Sequence, residues 1–228
     1  MSKFEDPNHL DLRQGDRIRN HLVKRVVPLE GIRSFFYELE HLKTGARHIH
    51  ISNKDAENTF SVAFKTVPQD STGVAHILEH TVLCGSNRFP VRDPFFSMLK
   101  RSLSTFMNAF TASDWTMYPF STQNQKDFYN LMDVYLDAAF FPKLEELSFM
   151  QEGHRLEIEG DLNADDPDRF RLSYKGVVYN EMKGAMSSPD QVMVRTIQKE
   201  LYPSTTYHYN SGGDPAEIPS LSYKQLKE

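Results

Sequence analysis

Residues 58–85 constrain the fold more than any other part of this 228-residue chain. Phe60, Val62 and Phe64 alternate with Ser61, Ala63 and Lys65, which predicts a strand over 58–66 with one strongly apolar face. Turn formers and several candidate N-caps follow at 68–73. Residues 74–84 then read as a helix of about three turns, with Gly85 as its stop. A core strand that turns straight into a helix points to an α+β fold, a largely antiparallel sheet packed against helices.

The rest of the chain fits that class. Residues 1 to about 35 mix charges with turn formers, and 35–40 and 46–52 read as a hairpin around Lys43-Thr44-Gly45. Residues 90–94 read as a loop, 95–103 as a helix and 108–122 as extended chain. Phe128, Leu131, Met132, Tyr135, Leu136 and Ala139 recur at helical spacing over 125–140, ahead of Pro142. A strand is expected at 155–159, an exposed acidic excursion at 161–168 (Asp165 and Asp166, with Asp168 at its end) and an apolar-faced helix at 174–186. Residues 219–228 begin like a capped helix and stop after about two turns.

Composition narrows the function classes. Lys plus Arg number 26 against 31 Asp plus Glu, a net charge of −5, so no basic field exists to grip a phosphate backbone and nucleic acid is not expected as a partner. No run approaches the roughly 18 consecutive apolar residues of a membrane span, and no membrane partner is expected. The single cysteine, Cys84, excludes an intrachain disulfide and suits a reducing compartment. It reads as a buried helix-end thiol rather than a nucleophile.

The chemistry concentrates in His76-Ile77-Leu78-Glu79-His80. Four residues apart on a helix, the two imidazoles lie one above the other and can share an ion, with Glu79 at the edge of that face. Neutral imidazoles suit Zn²⁺, and the neighbouring carboxylate can act as general base, the HxxEH arrangement of zinc hydrolases. A third ligand must come from elsewhere. Glu181, an acid within an apolar helical pattern, is the best candidate, since metal ligation would offset the cost of burying its charge. A surface glutamate paired with Lys175 or Lys183 satisfies the same spacing.

Larger blocks carry a resemblance. The runs HILEHTVLCGSNRFPVRDPFF, STFMNAFTASDWTMYPFSTQNQKDFYNLMDVYLDAAFFP, FMQEG and GVVYNEMKGAM, framed by ELEHLKTGARHIHI and SGGDPAEIPSLS, resemble the presequence-protease branch of the pitrilysin/insulinase metallopeptidases in kind and in order. The resemblance implies a LuxS/metallohydrolase-like α+β domain that hydrolyses unfolded peptides such as cleaved targeting sequences. It implies Zn²⁺ bound by His76, His80 and Glu181, with Glu79 as general base. It further implies that residues 107–111 offer a strand edge to an extended peptide, with Asn108 and Ala109 in contact, and that Leu83, Phe95, Phe96 and Leu99 wall an apolar pocket. These four also read as plain core residues.

In that family two halves of two related domains close like a clamshell, and residues 1–228 match one catalytic domain, truncated at its C-terminal end relative to a four-domain enzyme. The missing domains are therefore expected partners alongside peptide substrates. The isolated chain is expected to bind metal but to cleave peptides weakly. The alternative is a scaffold of the same fold that binds zinc without cleaving; a purely structural zinc site is a third reading, one that requires a closed fourth ligand. His48 and His50 share a strand face but read as exposed polar positions, not ligands. Tyr207-His208-Tyr209 reads as surface loop. With acids near its start and no apolar run or Arg- and Ser-rich leader, the chain is expected in a bacterial cytoplasm, an organellar matrix being the alternative.

Overall fold

The computed structural model describes residues 10–160 and 170–228, so the acidic excursion at 161–168 and Asp165, Asp166 and Asp168 lie outside the described residues. The fold is α+β, with every strand pair antiparallel. The chain divides into two compact units, residues up to Ala56 and Glu57–Glu228.

The first unit is a four-stranded meander: β1 (Arg17–Ile18), β2 (His21–Leu29), β3 (Ser34–His41) and β4 (Arg47–Ser52), in that order. The hairpin β3–β4 lies where alternation predicts it. The residues before it are not merely turns and charges, because β2 is a nine-residue strand that pairs with β3 through a bulge between Val23 and Arg25. Its run of Lys24, Arg25 and Pro28 hides the pattern. Val23, Tyr37 and Leu39 form this unit's core.

The second unit is built around α1 (Val74–Val82). Its sheet runs β5 (Asn58–Lys65), β8 (Trp115–Thr122), β6 (Ser104–Met107), with the short β7 (Phe110–Thr111) also on β8. Phe60 stands opposite Phe120 and Val62 opposite Tyr118. The same face packs on α3 (Gln125–Phe140), where Leu131, Tyr135 and Ala138 are buried with Val82 of α1. Helix α3 spans the predicted residues and starts at Asn124, whose side chain accepts from the Asp127 amide at 3.0 Å. On the other flank of α1, Ile77 meets Phe149 of α4 (Glu146–Glu152), Val178 of α5 (Val177–Ala185), and Ile218, Leu221 and Leu226 from the C-terminal segment. Helix α1 is thus clamped between two apolar clusters, which fixes its rotation.

Several boundaries differ from expectation. Helix α1 ends at Val82, two residues early, and no side chain caps its start: Asp70 instead bonds Thr72 within the turn, and the N-cap is Gly73 at φ 71°. A Cβ on Gly73 would lie 2.8 Å from the Gly212 carbonyl and the Gly213 Cα, so close approach of two backbones demands glycine there. Helix α2 (Pro94–Arg101) uses Pro94 as its first residue and ends before Leu103. Residues 174–186 are not one helix. Strand β10 (Phe170–Lys175), paired with β9 (Arg155–Gly160), runs to Lys175, and the chain turns at Gly176 into α5. Helices α4 and α6 (Pro189–Leu201) were not apparent from periodicity. The closing α7 (Tyr223–Leu226) carries a full capping box between Ser222 and Gln225. Among the described residues no helix is long and apolar enough to cross a membrane.

Candidate metal centre

His76 and His80 stand one turn apart on α1, with ring centroids 5.1 Å apart. Helix α5 brings Glu181 to them from 101 positions further along the sequence. Its Oε2 lies 3.7 Å from Nε2 of His76 and 3.9 Å from Nε2 of His80. Among the described residues this is the group of three acidic or imidazole side chains whose donor atoms gather within 4.8 Å.

The opposite edges of both rings are held. Nδ1 of His76 donates to the Gly212 carbonyl at 2.9 Å, and Nδ1 of His80 to Glu152 Oε2 at 3.1 Å. With Nδ1 carrying the proton, each Nε2 keeps its lone pair facing Glu181, the tautomer that metal ligation needs. The Gly212 turn is itself tied to the start of α1 by Asp214 N to Ser71 O at 2.7 Å and Asn210 N to Ser71 Oγ at 3.1 Å. Glu152 is buried, and Gln151 donates to its other oxygen at 2.8 Å.

The charge gathered around His80 is negative. Burial disfavours the charged form of the His80 ring, but the Glu152 hydrogen bond and the negative charges of Glu79, Glu152 and Glu181 outweigh it and raise its pKa above the imidazole value. Burial raises the pKa of Glu152, yet the His80 and Gln151 hydrogen bonds prevail and lower it. Three carboxylates facing two imidazoles make a site that favours a cation.

The donor set fits a divalent ion. Ligand bonds of about 2.0–2.2 Å in tetrahedral array put donor atoms roughly 3.3–3.6 Å apart. The two N···O separations are within half an ångström of that range. Glu181 meets the requirement for a reason other than the one its sequence context suggests: its side chain is 55% exposed, so no burial cost singles it out, and position alone does.

Glu79, buried one residue before His80, lines a cleft of about 200 Å³ with His80, Leu83, Cys84, Asp93, Phe95, Phe96, Asn108, Ala109 and Glu152. Leu99 is exposed and is not among the lining residues. Burial, then the charges of Glu152 and Asp93, push the Cys84 thiol up to about 12, which leaves it no nucleophilic character near neutral pH. Residues 107–111 run along one side of β8 through the β6 and β7 pairings and the Asn108 amide, which donates to Pro119 O at 3.1 Å. Tyr207 lies apart from this cleft, bonding Asp114 at 3.1 Å. Glu152 and Gly212 escape a reading of the sequence: neither lies at a recognisable spacing from the histidines it supports.

The chain is similar to known proteins over most of its length. A family model described as Insulinase (Peptidase family M16) matches residues 67–171, which include α1 but stop short of Glu181. The chain is 56% identical over 214 residues to the mitochondrial presequence protease of Xenopus laevis, covering 94% of this chain and 20% of that protein. It is 54% identical over 219 residues to the mouse protein of the same name, with 96% and 21% covered. With that of Gibberella zeae it shares 47% identity over 228 residues, 100% and 22% covered. The chain therefore spans about a fifth of the length of these relatives. They also overturn the expectation of a bacterial cytoplasm, since these relatives are eukaryotic and named as mitochondrial. A leader-poor composition at residues 1–16 was too weak a signal to set against them.

Proposed function

The chain belongs to the insulinase family, peptidase family M16, as a presequence-protease-like member, and on that footing we propose that it is the zinc-binding catalytic domain of an endopeptidase that degrades unfolded peptides of the targeting-sequence type in mitochondria. The observation that carries this reading is the convergence of His76 Nε2, His80 Nε2 and Glu181 Oε2, with both Nδ1 atoms engaged elsewhere. His76, His80 and Glu181 would hold Zn²⁺, which supplies Lewis acidity that polarises a carbonyl and acidifies water near neutral pH.

The chain's own residues account for the remaining requirements. Glu79 faces the cleft as a buried carboxylate beside the ligands; it takes the proton of the attacking water and passes it to the departing amine nitrogen. Residues 107–111 form a sheet margin to which an extended peptide adds as a further strand, with Asn108 and Ala109 in contact. Leu83, Phe95 and Phe96 shield a substrate side chain from water. Peptides and the remaining four-fifths of the relatives' length are the partners, and the 228-residue chain by itself binds metal but cleaves weakly. The test is Glu79→Gln in the full-length protein: bound zinc is retained while peptide hydrolysis falls by about 10²–10⁴. Unchanged hydrolysis would remove Glu79 from the reaction and the reading with it.

A further inference from the structure

Alternation along β4 shows His48 and His50 on one strand face, but only the sheet register reveals what they share that face with. His21 stands directly opposite His41, and His48 opposite Leu39, two residues from His41 on the same strand. Side chains at such positions project from one face. The result is three imidazoles on three adjacent strands. The His21 ring is the centre of the group, 5.0 Å from His41 and 5.8 Å from His48, centroid to centroid. The first separation matches the 5.1 Å between His76 and His80.

We propose that His21, His41 and His48 form a second metal site, in the first unit, for a divalent cation of borderline softness such as Zn²⁺. An all-imidazole donor set selects Zn²⁺, Cu²⁺ or Ni²⁺ over Ca²⁺ and Mg²⁺, which require oxygen. Nδ1 of His41 is bonded to Thr44 Oγ1 at 2.7 Å, which leaves its Nε2 to serve as ligand. Partial desolvation, then the neighbouring His21 and His50, shift the pKa of His48 below the ordinary imidazole value, which favours the neutral ring that ligation needs. His50 stands opposite Tyr37, its ring 6.1 Å from the phenol, further along the same face.

The site is less finished than the one on α1. The gathering of donor atoms within 4.8 Å belongs, among the described residues, to His76, His80 and Glu181, so the His21 and His48 rings must turn about χ2 to share an ion with the His41 ring held by Thr44. That torsion is broad, and His48 is exposed, so the rotation is cheap.

The inference is independent of the catalytic reading. Equilibrium dialysis of the 228-residue chain against Zn²⁺, with metal analysis, is expected to give two ions per chain. His21→Ala and His48→Gln each lose one ion and keep the other, whereas His80→Ala with Glu181→Gln loses the other and keeps the one at His21. Far-UV circular dichroism of each variant verifies the fold, and two substitutions at different strands guard against one that unfolds the meander. A chain that saturates with one ion, lost in the His80→Ala variant and kept in His21→Ala, overturns the proposal. So does a second ion that survives both His21→Ala and His48→Gln. One ion kept in His80→Ala and lost in His21→Ala supports this site and contradicts the other.

Discussion

Gly176→Ala probes how the fold carries Glu181 to the histidines. Gly176 joins β10 to α5, and its backbone lies against Gly153 at the end of α4. A Cβ at 176 would lie 2.0 Å from the Gly153 carbonyl oxygen, 2.6 Å from its carbon and 2.9 Å from the His154 Cα. Real Cβ contacts do not fall below 3.0 Å, so the two backbones must part by at least 1.0 Å. No flexible side chain can absorb that, and Gly153 is itself tied to the end of α4 through its amide, which donates to Phe149 O at 2.8 Å. The displacement therefore falls on α5, which starts at the next residue and carries Glu181. Constellations of this kind tolerate about 0.5 Å, and outer-shell disturbances cost roughly 10–100-fold in metal affinity. Chelator-competition titration with Zn²⁺ is expected to show a loss of at least about 10-fold, with about 1–3 kcal/mol of stability lost by overpacking. Wild-type zinc affinity in a folded Gly176→Ala protein would refute the idea that this glycine contact sets the third ligand.

Two further substitutions test the frame and the charges. Ile77→Ala removes a fully buried side chain from between Phe149, Val178 and Ile218, one residue from His76, and should cost about 2–5 kcal/mol in urea unfolding; a cost under about 1 kcal/mol would mean the cluster does not clamp α1. Lys175, then Arg171, hold the Glu159 carboxyl down to about 2 from its ordinary 4.5. Because the folded value is the lower one, its contribution is present above 4.5 and disappears as the pH falls towards about 2. Glu159→Gln should flatten the acid limb of thermal stability, and an unchanged limb would show that these pairs are fully screened.

What the sequence could reveal follows from the range of each signal. The strand at 58–65, helix α3 and the hairpin β3–β4 were legible because their patterns are complete within one element: Phe60, Val62 and Phe64 on one face, Phe128, Leu131 and Tyr135 at helical spacing, Gly45 in a turn. HxxEH was legible for the same reason. Glu181 needed the family resemblance, since its distance from His80 along the chain says nothing about its distance in space. Gly176 was misread as part of a helix because apolar periodicity continues across it, while its role is a contact with Gly153 that no local pattern encodes. Strand β2 and helix α6 were missed where charges or exposure blur the pattern: α6 has no buried residue. The histidine cluster was half visible, His48 and His50 by alternation, but His21 and His41 join it only through cross-strand register.

The most direct measurement is the coordination of zinc in the metal-loaded chain, by crystallography at the zinc absorption edge. The account predicts an ion bound by Nε2 of His76, Nε2 of His80 and a carboxylate oxygen of Glu181 at about 2.0–2.2 Å, with one position left for water. An ordered, folded chain whose α1 ion lacks Glu181, or whose fourth position is filled by another side chain, would contradict it.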